Sequence, residues 1–527
     1  MSKNLKKLRR LFHLNKDIKD NMKKYIIIDN NDNVMVALED FVKGDIVNNI
    51  TILEDVKKGH KVAIKDIKLG ENVIKYGYPI GSSKEEIKCG SWVHVHNVKT
   101  NLGDDQEFKY YENHNVDEKN ENPRKVNVYL RKNGTVGIRN ELWILPTVGC
   151  VNGQAELLVR KFKEKHQISS NYDGIYAFTH PYGCSQMGDD HVNTKIALQD
   201  MVKHPNCGGV LVLALGCENN QLSTFIETLG EYDEERVRFL NSQSVKDEIE
   251  TGLVLLEELY EKLIQDQRTM QDISKINIGL KCGGSDGLSG LTANPLIGRI
   301  SDYIVSEGGT TVLTEIPEMF GAEDVLLRRT VNKQVYNDLV DLVNDFKDYY
   351  RRNNQVIYEN PSPGNKAGGI TTLEDKSLGC VQKSGKTNVV GVLKYAEIIK
   401  ERGLNVLSGP GNDLVASTAL GLSGCQLVLF STGRGTPFGS FIPTIKISTN
   451  TDLYLNKPNW IDFNAGEMNA SNYEQITNEF IEFIIQVIEG KLTKNEINDF
   501  HEIAIFKTGV TLWGKWKWKN LWEKHSN

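Results

Sequence analysis

The feature that most limits what this chain can fold into is a recurring order: a short apolar run stops at glycine, cysteine or a polar cluster, and a helix-like stretch follows. "LWILPTVGCVNG", "GIYAFTHPYGCSQ", "GVLVLALGCENN", "INIGLKCGGSDG", "TTVLTEIPEMF" and "CQLVLFSTGRGTP" all obey it. Continuous apolar strands alternating with helices predict mostly parallel sheets covered by helices on both faces, an α/β class. In open sheets of this kind ligands sit beyond the carboxyl ends of the strands, so the polar ends are where chemistry should gather. They carry Cys150, Asn152, His180, Cys184, Cys217, Glu218, Cys282, Ser285, Asp286, Glu315, Glu318, Arg434 and Thr436. Each alone has a plainer reading, as a tight turn or a small buried hydrophobe. Cysteine beside glycine at several separate strand ends favours a shared site.

A different pattern precedes this region. From Tyr25 to Val98 short β-type runs ("YIIID", "VMVAL", "KVAI", "NVIKYG", "WVHVH") alternate with Gly and Asp turns, which predicts a small all-β unit. With 527 residues the chain exceeds what one core usually serves. The expected division is a basic leader without a fold of its own over 1–21, the β unit over 22–100 and a polar linker or wrapping arm over 101–125. An α/β domain over 126–390, a second over 391–510 and a tail over 511–527 complete it. The leader lacks the apolar core and cleavage site of a secretory signal, so a cytoplasmic location is expected.

Composition removes several function classes. A formal charge of −6 gives no global basic footprint for nucleic acid. The longest apolar run, "VLVLAL", is strand-sized, so no membrane span is expected. Eight cysteines without CxxC spacing argue against a disulfide framework or zinc ribbon, and reduced thiols are the default. The expected partner is a small molecule, and a homo-oligomer is compatible with everything above.

Two stretches carry binding chemistry. "NPSPGNKAGGITTLEDKSLGC" cannot be one regular element, yet it is dense in donors, among them Asn365, Lys366 and Lys376. Such a loop can fold N–H groups and a lysine around a carboxylate or phosphate. It is neither a Walker loop nor a GxGxxG turn. Arg434, set between glycines in "STGRGTPFG", suits a bidentate anion. The second stretch is "WVHVHN". Residues i and i+2 of a strand share a face, so His94 and His96 would project together and can ligate a borderline metal; two solvated surface histidines are the alternative.

Taken in order, "GIRNELWILPTVGCVNG", "YGCSQMGDDH", "LGCENNQ", "CGGSDGLSGLTANP", "TEIPEMFGAED", "ENPSPGNKAGGITTLEDKSLGC" and "STGRGTPFG" resemble the altronate/galactarate dehydratase family, and the small β unit resembles its SAF domain, a β-clip fold. The likeness runs from about Met22 to "AIFKTGVTL". A sulfolactate sulfo-lyase relative carries the small and large parts on separate chains, which agrees with a boundary near the linker. The resemblance implies removal of water from D-altronate, with galactarate as the alternative substrate and Fe²⁺, replaceable by Mn²⁺, as cofactor. Such a reaction needs a base at C2, an acid for the C3 hydroxyl and a Lewis acid at the carboxylate. Glu218, Asp286, Lys366 and Lys376 are the acid–base candidates, and Asn152, Ser285, Asn365, Lys366, Arg434 and Thr436 the substrate contacts. His94, His96 and Glu218 are the expected metal ligands; Cys184, Cys217, Cys282 and Cys380 are the alternative thiolates, for the same ion or for an iron–sulfur cluster. A sugar-acid binding protein without catalysis is the rival from another class.

Overall fold

The computed structural model describes residues 24–103, 108–358, 360–469 and 471–507; the expected leader (1–21) and tail (511–527) lie outside the described residues. The β unit consists of short antiparallel strands: β1 (Tyr25–Ile26), β2 (Val34–Ala37), β3 (Lys61–Ala63), β4 (Asn72–Lys75), β5 (Tyr78–Ser83), β6 (Trp92–Val93) and β7 (Val98–Lys99). They form one sheet in the order β1-β2-β3-β6 and another in the order β4-β5-β7, beside a two-stranded ribbon. Strand alternation sends the two faces to different places. Met35, Ala37 and Val62 join Phe41, Ile52 and Val56 in the unit's own core, whereas Val34, Ala63, Val73, Ile80 and Val93 belong to the main core of the large region. The β unit is therefore built into the rest of the protein by a full apolar face.

The segment after it has little regular structure and lies along the large region. Leu102, Phe108 and Tyr110 pack against the main core, Asp117 accepts the Asn388 N–H, and Asn120 donates to Glu307. A three-stranded antiparallel sheet, β8 (Lys125–Leu130), β9 (Val136–Gly137) and later β14 (Arg268–Asp272), frames the next portion.

Two parallel sheets follow. The first has four strands, β10 (Glu141–Pro146), β11 (Ile175–Ala177), β12 (Cys207–Ala214) and β13 (Val237–Asn241), ordered β11-β10-β12-β13. Helices α1 (Asn152–Lys165), α2 (Gly188–Val202) and α3 (Glu248–Leu263) accompany it. The second has seven: β15 (Asn277–Cys282), β16 (Thr310–Leu313), β17 (Val389–Leu393), β18 (Leu404–Leu407), β19 (Leu427–Thr432), β20 (Thr444–Ser448) and β21 (Phe463–Asn464). Their order is β17-β18-β16-β15-β19-β20-β21, every pair parallel. Its helices include α4 (Ala293–Ser306), α5 (Lys333–Arg352), α6 (Pro363–Ala367), α7 (Leu373–Cys380), α8 (Asp413–Leu422) and α9 (Tyr473–Ile488).

The small all-β unit and the helix-covered parallel sheets are both as the sequence predicts. The expected division at 390/391 is not: it falls inside β17, and strands on both sides of it share the seven-stranded sheet. The reason is topological. The chain crosses the sheet centre outwards in one direction and then returns to fill the other side, so neighbours in space are distant in sequence.

Candidate active site

The carboxyl ends of β15 and β16 meet the inner end of α7 in a buried cluster of charged groups. β15 brings Lys281 and Cys282; Lys281 interrupts an otherwise apolar strand and is fully buried. Its ammonium bonds the Glu315 carboxylate, Asp413 Oδ1 at 2.8 Å and the Cys282 carbonyl at 2.7 Å. Glu315 follows β16 with a left-handed backbone (φ 71°) and opens the tight turn that carries Glu318. Non-glycine residues seldom adopt that conformation, and when they do it is often at functional sites. Helix α7, capped by the Thr372 side chain, brings Lys376 and Cys380, and the turn beyond it brings Lys383.

Within the cluster Lys376 Nζ lies 2.7 Å from Glu318 Oε1 and 3.0 Å from Asn360 Oδ1. The other carboxylate oxygen, Oε2, lies 3.3 Å from Cys282 Sγ and 3.3 Å from Cys380 Sγ, and the two sulfurs are 3.5 Å apart. Lys383 Nζ sits 2.8 Å from Cys282 Sγ. The two thiols act as a pair. Their mutual hydrogen bond, aided by the Lys383 and Lys281 charges, holds Cys282 below the ordinary thiol range, and the same hydrogen bond together with burial holds Cys380 well above it. Burial opposes ionisation of Glu318, but Lys376, Lys281 and Lys383 prevail and bring it down to about 2. Glu315 is driven up by burial and by the neighbouring Glu318 charge.

Cys282, Glu318 and Cys380 are the group of three potential metal ligands found among the described residues. The donor set suits a divalent ion. Two sulfurs and an oxygen separated by 3.3–3.5 Å are spaced about as ligands of one tetrahedral ion, given metal–sulfur distances of about 2.3 Å and metal–oxygen distances of about 2.0 Å. Charge balance agrees. Three ammonium groups (Lys281, Lys376, Lys383) face five acidic groups (Glu315, Glu318, Asp413, Cys282, Cys380). Metal-free neutrality therefore needs two retained protons, matching the raised Glu315 and Cys380, and a divalent ion would replace both.

Around the cluster lie several of the predicted contacts. The Asn365 side chain donates to the Ser285 carbonyl at 2.8 Å and completes a capping box with Ser362 at the start of α6, which carries Lys366. Arg434 is exposed and approaches the Gly364 carbonyl at 3.5 Å, so it shares a rim with the Lys366 helix. Asp286 is half-buried, with desolvation raising its carboxyl, and it accepts from Ser289, Thr449, Asn450 and the Leu288 N–H. Those bonds tie the loop after β15 to the end of β20. Thr436 lies farther along, its hydroxyl accepting the Phe438 N–H.

The remaining predicted residues are not part of this group of three. Strand β6 ends at Val93, and His94 to Asn97 form a turn closed by the Asn97 side chain, which accepts the His94 N–H at 2.9 Å. The i, i+2 rule therefore does not apply: His94 is buried against Thr371 (Nδ1 to Oγ1, 3.2 Å), while His96 is exposed. Both rings pack on Trp92. Burial, with the charge of Lys61 nearby, lowers His94 to about 3. Glu218 does not join them. Its oxygens accept from Thr147 Oγ1 (2.6 Å), the Leu215 N–H (3.1 Å) and the Gly216 N–H (2.6 Å), closing the turn after β12. Cys184 and Cys217 are exposed on the four-stranded unit, and Asn152 donates there to the His180 carbonyl. Sequence reasoning missed Lys281 and Lys383. The first was signalled by a lone lysine inside "INIGLKC", the second by its i+3 spacing from Cys380.

Comparison with known proteins covers all three parts. Residues 23–101 match the "Altronate/galactarate dehydratase SAF domain", 128–264 the "D-galactarate dehydratase/Altronate hydrolase, second domain", and 273–511 the "D-galactarate/Altronate dehydratase, C-terminal". An altronate dehydratase of Bacillus subtilis (strain 168) is 52% identical over 497 residues, spanning 93% of this chain and 100% of that protein. The chain belongs to the altronate/galactarate dehydratase family. An altronate dehydratase of Escherichia coli (strain K12) is 54% identical over 493 residues, again 93% of this chain and all (100%) of the relative. The galactarate dehydratase (L-threo-forming) of the same organism is 30% identical over 516 residues, 92% of this chain and 96% of that protein. Among the described residues no helix is long and apolar enough to cross a membrane.

Proposed function

We propose that this protein is a hydro-lyase that removes water from D-altronate to give 2-dehydro-3-deoxy-D-gluconate. The observation that carries this reading is the full-length identity of 52–54% to altronate dehydratases, against 30% to a galactarate dehydratase. The buried lysine–carboxylate–thiol cluster supports it with suitable chemistry, and weighs against a binding protein without catalysis, since recognition alone needs no such set of coupled ionisable groups.

The substrate's carboxylate and hydroxyls meet Arg434 and Lys366 at the rim. A divalent ion held by Cys282 Sγ, Cys380 Sγ and Glu318 Oε2, ferrous iron in our reading, would supply Lewis-acid stabilisation of the charge that develops when the C2 proton leaves. Asp413 is the proton acceptor we favour. It is the carboxylate of the cluster with an open side, at 35% exposure against 1% for Glu315 and 10% for Glu318. Lys376, kept protonated by Glu318, donates to the departing C3 hydroxyl. The resulting enol then ketonises at C2.

The test is steady-state keto-acid formation from altronate, galactarate and a panel of other aldonates, under reducing conditions with Fe²⁺ supplied. Altronate should have the highest kcat/KM. Faster turnover of galactarate would reverse the substrate assignment, and no turnover of any sugar acid would remove the reading.

A further inference from the structure

We propose that the N-terminal β unit is a working part of the active site, acting through Asp375: Lys61 and Lys75 clamp this carboxylate and so seat α7 with Lys376 and Cys380 against Glu318 and Cys282. The inference rests on reading the Glu318 cluster as the reacting centre, and not on which sugar acid reacts there.

Helix α7 has eight residues, all buried. A helix this short has no stability of its own and takes its position from what it packs on. One end and one flank are held by the β unit. Lys61 Nζ donates to Asp375 Oδ2 at 2.7 Å and Lys75 Nζ to Asp375 Oδ1 at 3.0 Å, while Lys61 also reaches the Gly369 carbonyl at 2.8 Å. Glu374 accepts from Thr100 Oγ1 at 2.9 Å and from the Asn101 N–H at 2.7 Å, and the Thr372 hydroxyl donates to the Ile80 carbonyl. The residue after Asp375 is Lys376, whose ammonium holds Glu318, and the helix ends on Cys380. The helix thus has the β unit at Asp375 and the reacting cluster at its next residue.

The clamp is an expensive way to join two units. Both lysines and the aspartate are essentially without solvent contact, with side-chain exposures of 0–2%. Buried ions are seldom a net gain over apolar packing, but they fix one geometry, because any other leaves a charge unpaired. Apolar contact already joins the units through Val34, Ala63, Val73 and Val93. What three buried charges add is register. Tyr76, next to Lys75, extends the same contact: its phenol reaches between Gly290 and Gly379, the residue before Cys380. Asp375 touches no reacting atom, so it is a positioning residue.

The full-length enzyme with Asp375→Asn tests this, together with the charge-free triple variant Lys61→Met/Lys75→Met/Asp375→Leu. In Asp375→Asn, kcat for altronate should fall on the order of 100-fold, as expected for a misplacement of about 1 Å, while KM stays within about threefold. The triple variant should regain the wild-type thermal midpoint and keep the low kcat. Independently of substrate, Cys282 and Cys380 should react with a disulfide reagent at least tenfold faster in Asp375→Asn than in wild type, resolved by peptide mass spectrometry from the exposed Cys150, Cys184 and Cys217. A wild-type kcat in Asp375→Asn, or recovery of kcat together with stability in the triple variant, would overturn the inference. Should the wild-type enzyme turn over no sugar acid, the proposed function fails on its own, and unchanged thiol reactivity would then be the result that removes the clamp.

Discussion

The seating of the β unit can be perturbed by one methyl group. Gly290 lies in the loop between β15 and α4, and a Cβ added there would overlap the Tyr76 hydroxyl oxygen, stand 2.8 Å from Gly379 Cα and 3.0 Å from Tyr76 Cζ. None of these can yield cheaply. Gly379 is backbone of the buried helix α7, and Tyr76 is a half-buried aromatic packed against the main core, its own backbone left-handed at φ 62°. Overpacking of a close-packed site costs about 1–3 kcal/mol, and rigid neighbours on both sides place Gly290→Ala near 3 kcal/mol. For the region over 273–511 that holds Gly290, that is a fall of roughly 6–12 °C in Tm. Activity should fall with it, because the atoms displaced belong to the residue before Cys380 and to the neighbour of Lys75. Calorimetry and keto-acid assays on Gly290→Ala, Tyr76→Phe and the double variant would measure both. Removing the hydroxyl relieves the overlap but leaves the 2.8 Å contact with Gly379, so the double variant should recover about half of the lost stability. A Gly290→Ala enzyme with wild-type Tm and turnover would refute the packing argument, since the added carbon would then have found room the geometry denies it.

Three further outcomes are expected. Cys282→Ser and Cys380→Ser should each lose most of the bound divalent metal measured by elemental analysis, whereas Glu218→Gln, whose oxygens are taken by Thr147, Leu215 and Gly216, should keep it and lose stability instead. Arg434→Ala should raise KM for altronate about tenfold or more with a smaller change in kcat, read from saturation kinetics, because an exposed rim guanidinium holds substrate and transition state alike. Asp200 gives a pH signature: burial raises its carboxyl from the ordinary 3.8 to about 7, so the folded state holds a proton that the unfolded state has lost between those values. Stability should therefore decline across that window as pH rises, by up to about 4 kcal/mol, and Asp200→Asn should lack this component when unfolding is followed from pH 4 to pH 8.

Much of the architecture was legible because it rests on local periodicity. Apolar runs such as "GVLVLAL" read as buried parallel strands and became β12, and the alternating short runs before Val98 became the small antiparallel sheets. The polar strand ends named Cys282, Ser285, Glu315, Glu318 and Arg434 as candidates, and these do surround one region. The strand in "WVHVHN" ends three residues earlier than its alternation suggests, at Val93; the Asn97 side chain, which turns the chain, is a single residue with no periodic signal.

The sequence by itself determined the class of each segment and the stock of reactive side chains, since strand period, turn residues and charge are properties of neighbours along the chain. It also supplied the family likeness, which full-length comparison bears out. Only the tertiary structure decided which of the strand ends are one site. Cys282 and Cys380 are 98 positions apart yet 3.5 Å from sulfur to sulfur, and Lys61 meets Asp375 across 314 positions. Such pairings depend on strand order within the seven-stranded sheet and on where the β unit docks, and neither leaves a trace in local composition. The same holds for charge: the sequence marks Lys281 as odd within its strand and Lys383 only by its spacing from Cys380, and neither has a partner until burial beside carboxylates and thiols shows that each is the counter-ion of a particular acid.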